Sequence, residues 1–304
     1  MNYIKAIAEV RSISVAAENL GISQPALSAH LKKKEKEIGA EIFDRSKKPI
    51  QLTEAGKAYL EYIQKCNALE NEFQQKVADL EGLKSGKLTI GGASFFNSAY
   101  LPKTIKVFQE KYPGIQLEIV DDKVPELVNA AWRGDIDLFI TPIKEDEERF
   151  HFEELAEETI YLAVPADWDI NRRLKAKAVR EGEKPKPLNE SEFQDLCKYP
   201  FILLSKSQDI GKKAEELFAL FHCRPTKVIR AEQTITTLAL SASGVGISLI
   251  SRQSILTSQF SKSPILYLAD EKICKRKLYI AYPRNKYLSK AACEFICLLR
   301  DTIS

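Results

Sequence analysis

Residues 14–28, Ser-Val-Ala-Ala-Glu-Asn-Leu-Gly-Ile-Ser-Gln-Pro-Ala-Leu-Ser, leave fewer folds open than any other stretch, because they read as two short helices joined by a tight turn. Val15, Ala16 and Leu20 recur on one helical face, and Ala16 and Ala17 leave room for a second helix to cross closely. Gly21 supplies the turn. Ser23 can accept an orphan N–H at the start of the next helix, and Pro25 near its first positions forfeits no hydrogen bond, so a helix is expected from there towards Ile38. Early in that helix, Gln24, Ser28 and His30 are polar and short enough to approach base edges. Lys32, Lys33, Lys34 and Lys36 follow, where ammonium groups can lie along phosphates as the helix enters a major groove.

Helix, glycine and helix also occur in plain bundles, and the continuation decides between the two. Gly39 ends the second helix, Ile42 and Phe43 open a short strand, residues 46–49 make a basic turn, and Ile50 and Leu52 alternate as a return strand. That is a winged helix. Ala16-Ala17-x-x-Leu20-x-x-Ser23-Gln24-Pro25-Ala26-Leu27-Ser28, then Ile42-Phe43-Asp44-Arg45, then Leu52-Thr53-Glu54-Ala55-Gly56 resembles the N-terminal signature of the LysR-type transcriptional regulators. The resemblance implies a DNA-binding domain over residues 1–56 with promoter DNA as partner. It places Ser23, Gln24, Pro25, Ser28, His30, Lys32, Lys33, Arg45, Lys47 and Lys48 at the nucleic acid. Three departures follow from the same comparison. The chain opens at Met1-Asn2-Tyr3, where the family's first helix is already under way, so a first helix about one turn short, or a start further upstream, is expected. Ala29 stands where many members carry a basic residue. Lys34 stands where the family usually buries a leucine, so its head must snorkel to solvent or disturb the small core.

With 304 residues, 44% hydrophobic and 29% charged, the chain can build two or three compact units, and disorder as a whole is excluded. A net charge of only +3 does not imply polyanion binding by the whole surface; the positive charge that matters is local, at residues 32–36 and 47–48. No early segment has the pattern of a secretory signal and no apolar run reaches membrane-spanning length, so a cytoplasmic protein with no membrane partner is expected. The six cysteines, Cys66, Cys197, Cys223, Cys274, Cys293 and Cys297, show no CxxC pair and no histidines at ligand spacing. Buried free thiols, no metal and no cofactor are the expectation. Some LysR-type members sense peroxide through a cysteine pair, but the spacing of Cys197 and Cys223 does not follow that pattern.

Residues 53–83 form a proline-free helical pattern in which Ala58, Leu60, Ile63, Leu69, Phe73, Val77, Leu80 and Leu83 recur with charged residues between them. An apolar stripe on a long exposed helix needs a partner. In the resembled family this linker, here 57–86, pairs with that of a second chain, which implies a homodimer or homotetramer presenting two recognition helices to a pseudo-palindromic site. Gly82 and Ser85-Gly86 mark its end. Beyond it the rhythm becomes βαβαβ, with strands at 87–91, 116–120 and 137–141 and helices at 101–111 and 124–133. A second set follows, with strands at 161–164, 201–204, 226–230 and 246–250 and helices at 212–221 and 235–243. Mostly parallel sheets in two α/β lobes, 87–160 with 265–304 and 161–264, are expected. Leu101-Pro102, Phe108-Gln109-x-x-Tyr112-Pro113-Gly114, Gly134-Asp135-Ile136-Asp137-Leu138 and residues 244–250 resemble the family's effector-binding domain, a two-lobed α/β fold similar to periplasmic binding proteins. Residues 167–198, rich in Lys, Arg, Glu and Pro, read as a surface insertion with one short helix.

Ligands of open α/β sheets bind beyond the carboxyl ends of strands, where helix N-termini present free N–H groups. Here those ends carry Ser94, Phe95 and Asn97, then Thr141, then Ser205, Lys206 and Gln208, which are the expected effector contacts. Such a site suits a small carboxylate or similar anion with an apolar wall. Val124, where the family often has Ser or Thr, points to a ligand less polar than a dicarboxylate. No Gly-x-Ser-x-Gly elbow, phosphate loop, HExxH or histidine beside a nucleophile is present, so an enzyme is not expected. The function expected is therefore a sequence-specific DNA-binding regulator controlled by a small molecule. A two-lobed solute-binding protein and a ligand-independent DNA binder are the alternatives.

Overall fold

The computed structural model describes residues 2–80, 82–256, 260 and 262–303; Met1 and residue 81 of the expected linker lie outside them. The chain divides into two compact units, Met1–Val77 with Arg133–Asp135, and Ala78–Trp132 with Ile136–Ser304.

In the first unit, α1 (Asn2–Val10), α2 (Ile13–Asn19) and α3 (Gln24–Ile38) precede a two-stranded wing, β1 (Phe43–Asp44) and β2 (Gln51–Leu52). The helices start where capping side chains allow. Ser12 Oγ accepts from Val15 N and Ser23 Oγ from Ala26 N, and Pro25 sits in the first turn of α3. The turn between α2 and α3 passes through Gly21 at φ +65°, a backbone that a side chain would strain. Ile4, Ile7, Ala16, Ala17, Leu27, Leu31, Ile42, Phe43 and Ile63 form the core. Glu35 locks the wing to α3: one carboxylate oxygen accepts from Ile42 N at 3.0 Å, and the other takes the Arg45 guanidinium at 2.7 Å. Lys34 snorkels to an ion pair with Glu37, so the substituted leucine position leaves the core undisturbed. The chain then enters α4 (Glu54–Leu80). Gly56 admits the close approach of that helix to the wing, since a Cβ there would lie 2.0 Å from the Ile42 carbonyl oxygen.

The second unit opens with β3 (Gly86–Gly92), α5 (Ser94–Lys111), β4 (Ile115–Asp121), α6 (Val124–Arg133) and β5 (Leu138–Thr141). Next come β6 (Phe150–Val164), α7 (Ile170–Leu174), a 3-10 turn (Lys175–Lys177), α8 (Glu190–Leu196), β7 (Phe201–Leu204), α9 (Asp209–Leu220) and β8 (Val228–Ala231). The chain closes with α10 (Thr234–Ala242), β9 (Ile247–Ser251), α11 (Arg252–Leu256), β10 (Ile265–Tyr267), β11 (Lys275–Pro283) and α12 (Lys290–Ile303). Strand order β4-β3-β5-β11-β6-β9-β7-β8 runs through both lobes, with β10 also paired to β6. Pairing is parallel in β4-β3-β5 and in β8-β7-β9, as a βαβ rhythm dictates, but antiparallel wherever β11, β6 or β10 takes part. The 15-residue β6 gives residues 150–159 to β11 and residues 160–164 to β9 and β10, so one strand serves both lobes.

Each lobe has its own core. Leu88, Ile90, Phe108, Leu138 and Ile140 pack with Leu278, Phe295 and Leu299 in one; Leu162, Phe201, Leu203, Leu217 and Ile247 pack with Tyr267 in the other. Tyr267, Leu268 and Ala269, grouped by the sequence with the first lobe, therefore pack in the second. The expected surface insertion at 167–198 is corrected outright. It forms two short helices whose Ile170, Leu174, Phe193 and Leu196 are buried in the second core together with Leu188 and Cys197. Its charged residues face solvent and its sparse apolar residues face inward. The cysteines are free, as expected, but Cys293 and Cys297 are exposed rather than buried; Cys197 Sγ lies 2.7 Å from Cys223 Sγ.

Candidate functional site

Two regions collect the residues singled out from the sequence. On α3, Gln24, Ser28 and Lys32 recur every four residues with Lys36 continuing the row, which places them along one side of the helix, bordering the buried Leu27 and Leu31. Gln24, Lys32 and Lys36 are exposed and Ser28 is half-buried. Ser23 is engaged in capping α3, and Pro25 lies in the same first turn. His30 is drawn elsewhere: its ring stacks on Tyr3 at 5.1 Å, and with Lys33 it lines a groove against Tyr3, Ile7 and Tyr59. On the wing, Lys47 Nζ donates to Gln51 at 3.2 Å, Lys48 is exposed, and the Arg45 charge is already held by Glu35. The exposed row on α3 is thus a ridge of one amide, one hydroxyl and two ammonium groups, suited to reading base edges between phosphate contacts.

The second region is a cleft of about 320 Å³ between the two lobes, at the carboxyl ends of β3, β4, β5 and β7. Ser94 and Phe95 of α5, Val124 of α6, Pro142 and Ile143 after β5, and Gln208 at the start of α9 line it. Three helices begin at this cleft without a capping side chain. Their N-cap residues are Ala93 for α5, Gln208 for α9 and Gln233 for α10, none of which makes a side-chain cap bond, whereas Ser12, Ser23 and Asn189 cap α2, α3 and α8 elsewhere. Uncapped N-termini leave N–H groups and positive dipole ends facing the cavity.

Four expected effector contacts lie outside this lining. Asn97 is buried beneath it, donating to Gly92 O, Val120 O and the Asp121 carboxylate. Thr141 is fully buried and folds onto its own turn, donating to Ile143 O at 2.9 Å. Ser205 turns to Ser207, and Lys206 pairs with Glu215 at 3.2 Å on the outer surface. Position at a strand end marks the right loops, but local polar turns take Thr141 and Ser205, and more distant partners take Asn97 and Lys206.

The structure also places in the cleft a residue that the sequence does not announce, Arg276 of β11, with its side chain only 4% exposed. Its Nε donates to Glu158 Oε2 at 2.7 Å and its Nη1 to Asp209 Oδ2 at 3.2 Å, while the guanidinium lies 5.2 Å over the Phe96 ring. Nη2 sits 2.5 Å from the same Glu158 oxygen but makes no directed hydrogen bond. Tyr100 also donates to Glu158, and burial, reinforced by that carboxylate, raises its phenol well above the usual range. Register pairing of Arg276 with Glu158 across β11 and β6 creates the group, so only the fold brings it together. Across the same cleft, Lys123 of the first lobe pairs with Glu232 of the second at 3.0 Å. Among the described residues no cluster of His, Cys, Asp and Glu could hold a metal ion, and no helix is long and apolar enough to cross a membrane.

Comparison with known proteins supplies the frame for both regions. Residues 1–57 match the bacterial regulatory helix-turn-helix protein family, lysR type, and residues 81–304 match the LysR substrate binding domain. The uncharacterized HTH-type transcriptional regulator YcgK of Bacillus subtilis (strain 168) is 26% identical over 311 residues, covering 100% of this chain and 94% of the relative. Among solved structures, full-length CbnR in complex with its target DNA aligns with a TM-score of 0.67 at 19% identity over 99% of this chain and 97% of that one. The BenM effector-binding domain with its effector benzoate aligns with a TM-score of 0.58 at 22% identity over 71% of this chain and 90% of that one.

Proposed function

Because the chain belongs to the LysR family of bacterial transcriptional regulators, whose members read DNA through the N-terminal helix-turn-helix and carry a small-molecule domain behind it, we propose how this one divides the work. Gln24 and Ser28 read base edges in a major groove, Lys32, Lys36, Lys47 and Lys48 hold phosphates, and Ser23 and Pro25 fix the start of the reading helix. His30, Lys33 and Arg45 act behind the contact surface, through Tyr3 and Glu35. Two copies joined along α4, as a dimer or within a tetramer, present two such helices to a pseudo-palindromic promoter site in the cytoplasm. The interlobe cleft takes a small carboxylate-bearing effector, with Ser94, Phe95 and Gln208 among its contacts, and the chain performs no catalysis.

The observation that carries this reading is the row of Gln24, Ser28, Lys32 and Lys36 along α3, exposed except for the half-buried Ser28, on a helix that Leu27 and Leu31 anchor in the core. Its test is capture of genomic fragments by the purified chain, with and without a metabolite extract, followed by Gln24→Ala with Ser28→Ala. The wild-type chain should enrich a pseudo-palindrome. The double variant should lose on the order of 10–100-fold in affinity for it, while its oligomeric state and weak affinity for unrelated DNA persist. Unchanged operator affinity would remove Gln24 and Ser28 from the reading surface.

A further inference from the structure

The uncapped helix ends and the buried arginine favour an anion, yet the cleft as a whole is negative. Five carboxylates line it, Asp121, Asp122, Glu145, Asp209 and Glu232, against two cations, Lys123 and Arg276. Both cations are already spoken for within the protein. Lys123 is paired with Glu232, and the Arg276 guanidinium is flanked by Glu158 and Asp209, a combination that already outweighs its single charge. Asp122 and Glu145 enter no ion pair among the described residues; the Asp122 carboxylate accepts only from the backbone N–H of Lys123. A simple anion, and above all a dianion, would enter such a cavity against the field of these groups. A simple cation would leave unused the free N–H groups opening α5, α9 and α10.

Only a ligand with both charges satisfies both sets of groups. From this we propose that the effector is a small zwitterion, an ammonium and a carboxylate on one apolar frame, of the size and chemistry of an α-amino acid with an apolar side chain. Its carboxylate takes the N–H groups at the uncapped N-termini of α5, α9 and α10. Its ammonium is held by the unpaired carboxylates of Asp122 and Glu145. Its side chain lies against Phe95, Val124, Pro142 and Ile143. The cavity volume of about 320 Å³ stands at the lower end of small-molecule sites and is consistent with a molecule of that size. This inference rests on the reading of the cleft as the effector site.

The test uses the full chain, with thermal melting to screen and calorimetry to measure Kd. The probes are the twenty common L-amino acids. For the apolar ones, matched partners lacking one charge are added, such as 4-methylpentanoate and 3-methylbutylamine beside L-leucine, and 3-phenylpropanoate and 2-phenylethylamine beside L-phenylalanine. At least one amino acid should bind saturably, and about tenfold or more tighter than either of its single-charge partners. Asp122→Asn with Glu145→Gln, both at the rim of the cleft, should leave the ligand-free melting temperature unchanged and bring the amino acid and its carboxylate partner to similar affinity. A carboxylate or an amine that binds as tightly as its parent amino acid overturns the proposal. So does a panel without a binder. In that last case a metabolite extract separates the two levels: a raised melting temperature keeps the cleft as an effector site and rejects the zwitterion, while no shift removes both.

Discussion

In the second lobe the Tyr267 hydroxyl donates to Asn171 Oδ1 at 2.9 Å, and the same Asn171 donates its amide to Pro165 O and Ala166 O. Tyr267 is fully buried, and burial pushes its phenol up to about 12 from the ordinary 10. Because the folded chain keeps this proton longer than the unfolded one, the stability it contributes is complete below pH 10 and lost as pH rises through about 12. Tyr267→Phe strands a buried acceptor and should cost about 1–2 kcal/mol at neutral pH, read as a lower denaturant midpoint. The variant should also lose stability less steeply than wild type between pH 10 and 12; parallel alkaline curves would show that another group sets that limb. Tyr267 and Asn171 are 96 residues apart, and nothing in either local pattern announces the pair. The same holds for Arg276 with Glu158. Gln24 and Ser28 are different, because a capped helix start and four-residue spacing fix their face without any tertiary information.

Among whole elements, α4 shows what a local pattern can and cannot convey. Its helical period is plain from residues 54–80, but which residues the fold covers is not. Ile63 is buried against the winged helix, whereas Tyr62, Leu69, Phe73 and Leu80 remain 57%, 66%, 59% and 87% exposed. Four large apolar side chains on one helix, at intervals of seven, four and seven, have the spacing of a helix-pair seam and fit the α4 pairing proposed above. Leu69→Glu with Phe73→Glu should dissociate the oligomer at micromolar concentration, since each buried side chain contributes about 1.5–3 kcal/mol, while leaving the melting profile of the small-molecule domain in place. Sedimentation would decide it, and an intact dimer would move the interface off this helix. Elements that answer to distant partners were harder to foresee. Local pattern marks only residues 161–164 of β6, because the preceding part carries Glu153, Glu154, Glu157 and Glu158. These are balanced by Lys275, Arg276, Lys277 and Arg300 once β11 and α12 lie beside them. In residues 167–198 charge obscured a core segment, although Asn189 and Glu192, which form a capping box in the structure, are the sequence signature of a helix start.

For the molecule as a whole, a cleft whose two walls share β6 and meet through Lys123 and Glu232 offers a ligand two arrangements to distinguish. A ligand changes operator affinity only to the extent that it binds the two arrangements unequally. Whatever factor saturating effector imposes on the operator Kd, saturating operator must therefore impose on the effector Kd, because both describe one closed thermodynamic cycle. Factors of about 5–150 are the usual range for such coupling. Titrating fluorescent operator with and without effector, and effector with and without operator, at one fixed salt concentration, should return the same factor twice. Salt must be held fixed because, with Lys32, Lys36, Lys47 and Lys48 on phosphates as proposed, release of counterions makes the operator Kd alone steeply salt-dependent. Equal factors that rise together when Lys123→Ala removes the interlobe ion pair would identify the relation between the two lobes as the coupled step. Equal factors unaffected by that variant would place the coupling in another part of the domain, and a factor of one in both directions would mean that effector and operator bind independently.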